Sequence, residues 1–532
     1  MRTRRVGRTD LCISAVGLGT CQLRLLPEAR ALATLRRGIE LGVDWIHTSP
    51  DYEGAEELVA RAVRESERVV HVASDGSGQM PHFEHLYEQA LRRHGRGGRL
   101  ALWGISCIDD QEFVGHDVWG PRGMVAFLRR EKAAGRLEAA FCTTHAPPEY
   151  VENLITSGCF DAIMLAWNPL GFHVLSSFAA AEGKRYEDLA ATGARLFELA
   201  RRHEVSLLVM KSLGGGLLGA SRAFPPHALL AAERAHIRAE DVLRHILAQP
   251  GVTAVVPGAG SPDEAEEDAR AGHAPEGIDP ARERLLLERV ASLRGVLCSR
   301  CGECETTCSQ GLPISWLFRD AYVWMNPSDT FDAVDRLHYF RLHPETELAC
   351  ATCRERTCEC PAGLDIPREL GRVHDAMIEL RAAGRLPLAP DARAPGAPAS
   401  GADAGEPCAR VIYAQVPRAL GGPSSEPCKL WIENAGRRAW SERARSPDHA
   451  WLSVRRAHDE VQRIELRCGV EPGARAHLVF DLAHVPRRRE TLRFELQRAD
   501  GASLELARAS VEPLESPSWW QRWLGGAPEV RA

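Results

Sequence analysis

Eight of the sixteen cysteines in this 532-residue chain fall between Cys298 and Cys360, in two runs that repeat. The first run is Cys298, Cys301, Cys304 and Cys308, followed by Gly311, Leu312 and Ile314; the second is Cys350, Cys353, Cys358 and Cys360, followed by Gly363, Leu364 and Ile366. Positions 298, 301, 308, 311, 312 and 314 each recur 52 residues later. Cys-x2-Cys-x2-Cys-x3-Cys spacing lets three close sulfurs reach three corners of an iron–sulfur cube, while the fourth serves the cluster of the other run. On that logic Cys298, Cys301 and Cys304 share one [4Fe–4S] cluster with Cys360. Cys350, Cys353 and Cys358 share a second with Cys308. Two zinc sites or a disulfide framework are the competing readings. Zinc knuckles space their ligand pairs further apart, and a chain that stays in a reducing cytosol does not build structural disulfides.

The arrangement resembles the α-helical ferredoxins, in which two such runs are separated by helix, here the stretch Leu312 to Leu348. Two positions depart from that pattern. The 52-residue register puts Arg356 where the third ligand of the second run belongs, so Cys358 must substitute from a compressed loop. Ser309 stands where Pro is expected after Cys308, whereas Pro361 is in place.

Ahead of the cysteines, from Val6 to about Gly295, short apolar runs alternate with longer amphipathic stretches, the rhythm of a parallel β/α fold. Strands are expected at Gly42 to Ser49, Arg68 to Ser74, Arg99 to Ser106, Leu137 to Thr144, Phe160 to Trp167, Val205 to Lys211 and Val252 to Pro257. That many strand–helix units in under 300 residues suit a TIM (β/α)8 barrel better than an open doubly wound sheet. The expected organisation is a barrel over 1–295, a ferredoxin-like module over 296–385 and a Pro/Ala/Gly linker over 386–407. A β-sandwich over 408–515 and a Trp-rich tail over 516–532 complete it.

The strand ends carry a second resemblance. Gly17-Leu18-Gly19-Thr20, Gly42-Val43-Asp44-Trp45 leading to Tyr52 and Glu56-Glu57-Leu58, Trp167-Asn168, Met210 to Leu218 and Val256 to Pro262 together resemble aldo/keto reductase motifs over roughly residues 1 to 275. Thr143-Thr144-His145 and the appended cysteine module are similar to the iron–sulfur branch of that superfamily. The resemblance implies an oxidoreductase with a nicotinamide cofactor at the barrel mouth and a small-molecule substrate. Its general acid falls at Tyr52, but the partner positions hold His47 in place of Asp and Asp75 near the expected Lys, with no His after the fourth strand. His47, Asp75 and Tyr52 therefore form a candidate proton relay in a depleted tetrad. The resemblance places the cofactor on Gly19, Thr20, Thr143, Thr144, Trp167, Asn168, Lys211, Gly214, Gly258 and Ser261, with Trp167 as ring platform. Glu264 falls where relatives bind the 2′-phosphate of NADP, so NADH is expected over NADPH. A non-catalytic redox sensor or assembly factor is the rival reading.

The charge balance, 66 basic against 72 acidic residues, gives nucleic acid no electrostatic footprint. No secretory signal and no run of eighteen apolar residues is legible, so a cytoplasmic chain is expected. Alternation between Cys408 and Glu515 reads as an immunoglobulin-like sandwich. Trp519, Trp520 and Trp523 suggest contact with a membrane interface or a partner, which could be a redox protein.

Overall fold

The computed structural model describes residues 1–52, 54–77, 80–108, 118–146, 148–172, 185–216, 218–219, 237–274, 277–295, 297–315, 317–318, 348–382, 409–415, 419–420, 428–434, 440, 449–456, 459–466, 475–480, 490–499 and 503–513. The linker, the Trp-rich tail and most of the helix expected between the cysteine runs lie outside them. The chain divides into two compact units, one holding the barrel and the cysteine loops and the other the C-terminal sheets.

A hairpin of β1 (Thr3–Arg5) and β2 (Cys12–Ser14) precedes the barrel strands. These are β3 (Leu18–Gly19), β4 (Trp45–His47), β5 (His71–Gly76), β6 (Leu100–Ile105), β7 (Leu137–Thr144), β8 (Ala162–Asn168), β10 (Ser206–Met210) and β11 (Val252–Val255); β9 (Gly171–Phe172) folds back on β8. The eight barrel strands pair in parallel in sequence order. The ring closes through bridges from Val16 to Val255 and from Gly19 to Gly258, with Gly17 and Gly19 N–H groups bonded to the Val255 and Pro257 carbonyls at 2.8 Å. The barrel read from the sequence is therefore present. Its first strand, only two residues long, and the opening hairpin are too short to show in an apolar pattern.

Side chains alternate inward and outward along each strand. Trp45, Ala73, Leu102, Ala139, Phe141, Ala162, Met164, Leu208 and Ala254 fill the interior, and Val6, Leu11 and Ile13 of the hairpin plug it from below. Helices α1 (Glu28–Glu40), α2 (Ala55–Arg64), α3 (Met80–His94), α4 (Met124–Ala133), α5 (Pro148–Thr156), α6 (Tyr186–His203), α7 (Ala239–Leu247) and α8 (Pro262–His273) follow the strands, with α9 (Pro280–Leu293) leading to the cysteines. Two interior glycines are dictated by aromatic neighbours. A Cβ on Gly17 would lie 2.3 Å from the Trp45 ring, and one on Gly104 would lie 2.7 Å from the Phe141 carbonyl oxygen.

After the first cysteine loop come a short α10 (Ala349–Thr352) and α11 (Ile366–Ala382). The C-terminal unit holds two sheets, β12 (Ala409–Gln415), β14 (Cys428–Asn434) and β17 (Arg475–Phe480) in one. The other contains β13 (Ala419–Leu420), β15 (Ala450–Arg456), β16 (Asp459–Glu465), β18 (Glu490–Arg498) and β19 (Ser503–Pro513). All pairs are antiparallel except β13 with β19. Among the described residues no helix is long and apolar enough to cross a membrane.

Candidate functional site: the barrel mouth and the cysteine loops

Catalytic groups of parallel barrels sit where the strands end at their C-terminal side. There β4 delivers His47 and β5 delivers Asp75. His47 Nε2 lies 3.2 Å from Asp75 Oδ2, both side chains buried. The Tyr52 ring stands edge-on to His47 at 6.0 Å, and Phe141 does the same from the opposite strand at 6.1 Å. The three residues expected to form a relay are thus brought together. Phe141, which sequence reading missed, also crowds Gly104 with its ring and carbonyl.

The electrostatics run against a tyrosine acid. Burial pushes the Tyr52 phenol well above its ordinary value of 10.0, and Cys21, Asp75, Cys107 and Asp51 push the same way. An acid needs the opposite, a nearby cation that stabilises phenolate. Asp75 Oδ1 is buried without a hydrogen-bond partner among the described residues. Its neighbour Ser74 points outward and donates to Glu56 at 3.1 Å. Two residues just past strand ends hold left-handed backbones, Cys107 at φ 49° and Lys211 at φ 52°. Non-glycine residues adopt that region at a cost and mostly where function or packing demands it. Cys107 is fixed there by its N–H, which donates to Thr143 Oγ1 at 2.7 Å.

The cofactor set inferred from resemblance is only partly available. Trp167 is three positions from the inward Met164 and so faces outward. Its indole stacks on His245, meets Phe197 edge-on at 5.0 Å and occupies the space over Gly193 of α6. It is a strand–helix packing residue and offers no platform inside the mouth. Gly258 is covered as well, since a Cβ there would lie 1.6 Å from Gln22 Nε2. Thr20 Oγ1 donates to the His47 carbonyl at 2.9 Å, Thr144 Oγ1 to the Ile108 carbonyl at 2.7 Å, and Asn168 Oδ1 accepts from Leu170 N–H at 3.0 Å. Ser261 caps α8 by accepting the Glu264 N–H at 3.3 Å, while the Glu264 carboxylate takes the Gly260 N–H at 2.8 Å. That helix end already has its anion. Gly19 lies in the strand seam and Gly214 begins a tight turn at φ 54°. As arranged, these residues do not fit a nicotinamide ring stacked on Trp167 with its pyrophosphate over Gly258.

The cysteine loops are arranged differently. Every cysteine among them is a free thiol. Burial pushes Cys298 up to about 12, with Cys360 and Cys301 adding to the rise. Burial likewise raises Cys304, whose sulfur neighbours are Cys298, Cys301 and Cys360. Cys350 is pushed up to about 11 by burial, then by Cys358, Cys308 and Cys353. Cys360 thus acts on Cys298 and Cys304 of the first run, and Cys308 on Cys350 and Cys358 of the second. Among the described residues no group of three or more His, Cys, Asp or Glu is gathered closely enough for a single metal ion. Thiolates are the ligand type that iron–sulfur clusters take. Positive φ at Arg300 and Gly302 in one run and at Arg356 in the other turns the chain sharply beside the sulfurs.

The first loop is fastened to the barrel. Arg185, at the head of α6, forks onto Glu303 with both bonds at 2.6 Å, and the buried Tyr186 hydroxyl donates to the Leu297 carbonyl at 2.9 Å. Arg294 lies over the Tyr186 ring at 5.3 Å. Nothing in the sequence marks Arg185 and Tyr186 as partners of residues more than a hundred positions away.

Comparisons with known proteins place these features beside solved structures only. The chain is similar to an aldo-keto reductase from Bacillus halodurans in its holo form, at 20% identity and TM-score 0.42 over 55% of this chain and 96% of that one. It is also similar to a glycerol dehydrogenase from Gluconobacter oxydans, at 18% identity and TM-score 0.40 over 54% of this chain and 95% of that one. No family model matches the chain, and no curated protein does.

Proposed function

We propose that the chain is an iron–sulfur oxidoreductase of the aldo/keto-reductase type, acting on a small molecule at the barrel mouth. The observation that supports this reading is the repeated cysteine spacing, in which one cysteine of each run acts electrostatically on thiols of the other. Cys298, Cys301, Cys304 and Cys360 would hold one [4Fe–4S] cluster, and Cys308, Cys350, Cys353 and Cys358 the other. Such clusters supply one-electron storage when bound. The C-terminal sheets are assigned as an immunoglobulin-like accessory module.

At the mouth, Asp75 accepting from His47 Nε2–H fixes the ring and leaves Nδ1 as the basic nitrogen. Tyr52 stays a neutral phenol and serves as a hydrogen-bond donor. His47 is then the group that carries a proton, and ordinary ketone reduction by a tyrosine acid is weak. By the position the resemblance gives it, Glu264 favours NADH over NADPH, since a carboxylate there would repel a 2′-phosphate.

Anaerobic purification with iron and acid-labile sulfide assays tests the cluster reading; colourless, sulfide-free protein sinks it. Turnover of small alcohols, aldehydes and ketones with a viologen dye as electron partner then tests the mouth. His47→Gln should lower the rate by about 10²–10⁴-fold and Tyr52→Phe by less. Clusters without any turnover or any NADH-induced change in Trp fluorescence would leave the redox-sensor reading in its place.

A further inference from the structure

One of the two left-handed residues beyond the strand ends is a thiol. Cys107 follows β6, is half-buried and holds φ at 49°. A strained residue clamped by its surroundings is a starting point for function. Ala73 and Phe141 fill the barrel interior, so by alternation Asp75 of β5 and Thr143 of β7, two residues further on, point into the mouth. Thr143 clamps the cysteine from that side. Its Oγ1 accepts the Cys107 N–H at 2.7 Å and stands 4.0 Å from Cys107 Sγ, while Ser106 Oγ stands 3.8 Å from the same sulfur. A sulfur that accepts hydroxyl hydrogen bonds holds negative charge better during attack.

A second observation points to a ligand. Asp75 Oδ1 is buried and has no hydrogen-bond partner among the described residues, although Oδ2 lies 3.2 Å from His47 Nε2. A donor brought by a bound molecule would satisfy it. Tyr52 ties these groups to one space: after burial, it is Cys21, Asp75, Cys107 and Asp51 that hold its phenol protonated. The mouth therefore collects a thiol with hydroxyl donors, a histidine able to move a proton and a phenol that donates. The Asp51 and Asp75 carboxylates disfavour an anionic ligand there.

We propose that Cys107 is a nucleophile that adds reversibly to a neutral aldehyde bearing a hydroxyl group, holding it at the barrel mouth as a thiohemiacetal. The sulfur–carbon bond forms as the carbonyl π bond breaks, and the thiol proton ends on the former carbonyl oxygen with His47 as its carrier. Tyr52 donates to that oxygen while it bears charge. Asp75 Oδ1 accepts from the ligand hydroxyl. The step is an addition, with nothing oxidised or reduced. It rests on the reading of the mouth given above, in which His47 carries the proton, and is independent of the cysteine loops.

The test uses the full chain with glycolaldehyde labelled at its carbonyl carbon, read by carbon NMR, and iodoacetamide alkylation read by peptide mass spectrometry. A thiohemiacetal resonance distinct from free glycolaldehyde and its hydrate should appear, vanish in Cys107→Ser and persist in Cys21→Ser. Alkylation of Cys107 should run about tenfold faster than that of the exposed Cys12 and slow several-fold in Ser106→Ala. Glycolaldehyde should protect Cys107 from alkylation, and acetaldehyde, which lacks the hydroxyl, should protect it several-fold less well. No adduct, an adduct that survives Cys107→Ser, alkylation no faster than at Cys12, or equal protection by the two aldehydes overturns the proposal. If Cys107→Ser does not fold, the resonance and the protected peptide of the unaltered protein decide. An adduct without turnover of any small alcohol, aldehyde or ketone keeps this inference and removes the oxidoreductase reading. Turnover without an adduct does the reverse.

Discussion

The barrel mouth and the cysteine loops present similar side chains, thiols and carboxylates close to aromatic rings, yet the fold uses them in opposite ways. At the mouth most of the polar atoms serve the protein itself. Thr20, Thr144, Asn168 and Ser261 hold strand ends, a turn and a helix cap, and Gln22 lies over Gly258. In the loops, the Arg300 N–H bonds the Cys298 sulfur and the Ser309 hydroxyl stands 3.5 Å from that of Cys353. The cysteine motif is carried by spacing and by left-handed turns at Arg300, Gly302 and Arg356. At the mouth, Asp75 pushes the Tyr52 phenol up, the opposite of what a neighbouring lysine would do.

The sharpest way to break this contrast is in the loops. Cys298→Ser and Cys360→Ser should each remove the same cluster, lowering iron content by about half, while Cys350→Ser removes the other. Identical spectra for the Cys360 and Cys350 variants would show that each run serves itself.

In the barrel, Gly104→Ala drives a methyl against a carbonyl that cannot move aside and should destabilise by about 1–3 kcal/mol in denaturant unfolding. Tyr186→Phe leaves the Leu297 carbonyl buried without its donor and should cost about 1 kcal/mol, with the first cluster becoming more labile to oxygen. Gln22→Ala uncovers Gly258 and should tighten NADH binding a few-fold, roughly 1 kcal/mol or less, in a fluorescence titration. An unchanged affinity would mean that Gln22 is not what closes the cradle.

The smallest effect is alkaline. Because the Tyr52 phenol is raised above 10.0, the stability it contributes is whole below pH 10 and is lost only as pH climbs past that value. Phenolate absorbance should therefore show one slow-titrating tyrosine fewer in Tyr52→Phe, with no change near neutrality.

Much of this was legible from residue order, and the failures have a common cause. Seven barrel strands stand within a few residues of their expected places because apolar runs between amphipathic helices are local signals. The repeated cysteine spacing was legible for the same reason. Trp167 was not, since the strand Ala162–Asn168 is buried on both faces and its composition does not say which side chains point inward. Nor was Gln22 over Gly258, or Arg185 on Glu303, where the partners are far apart in sequence and meet only when the ring closes.

The arginines near the start of the chain have one further consequence. Arg2 donates to the Gly272 and Ala271 carbonyls and Arg4 to those of Leu247 and Val252, so the first strand is held by the last helices of the barrel. During synthesis that strand has to wait until residue 272 has left the ribosome before its guanidinium groups find those carbonyls, a long-range closure of the slow kind. The first cysteine run emerges only afterwards, when Arg185 and Tyr186, which hold its loop, are already in place.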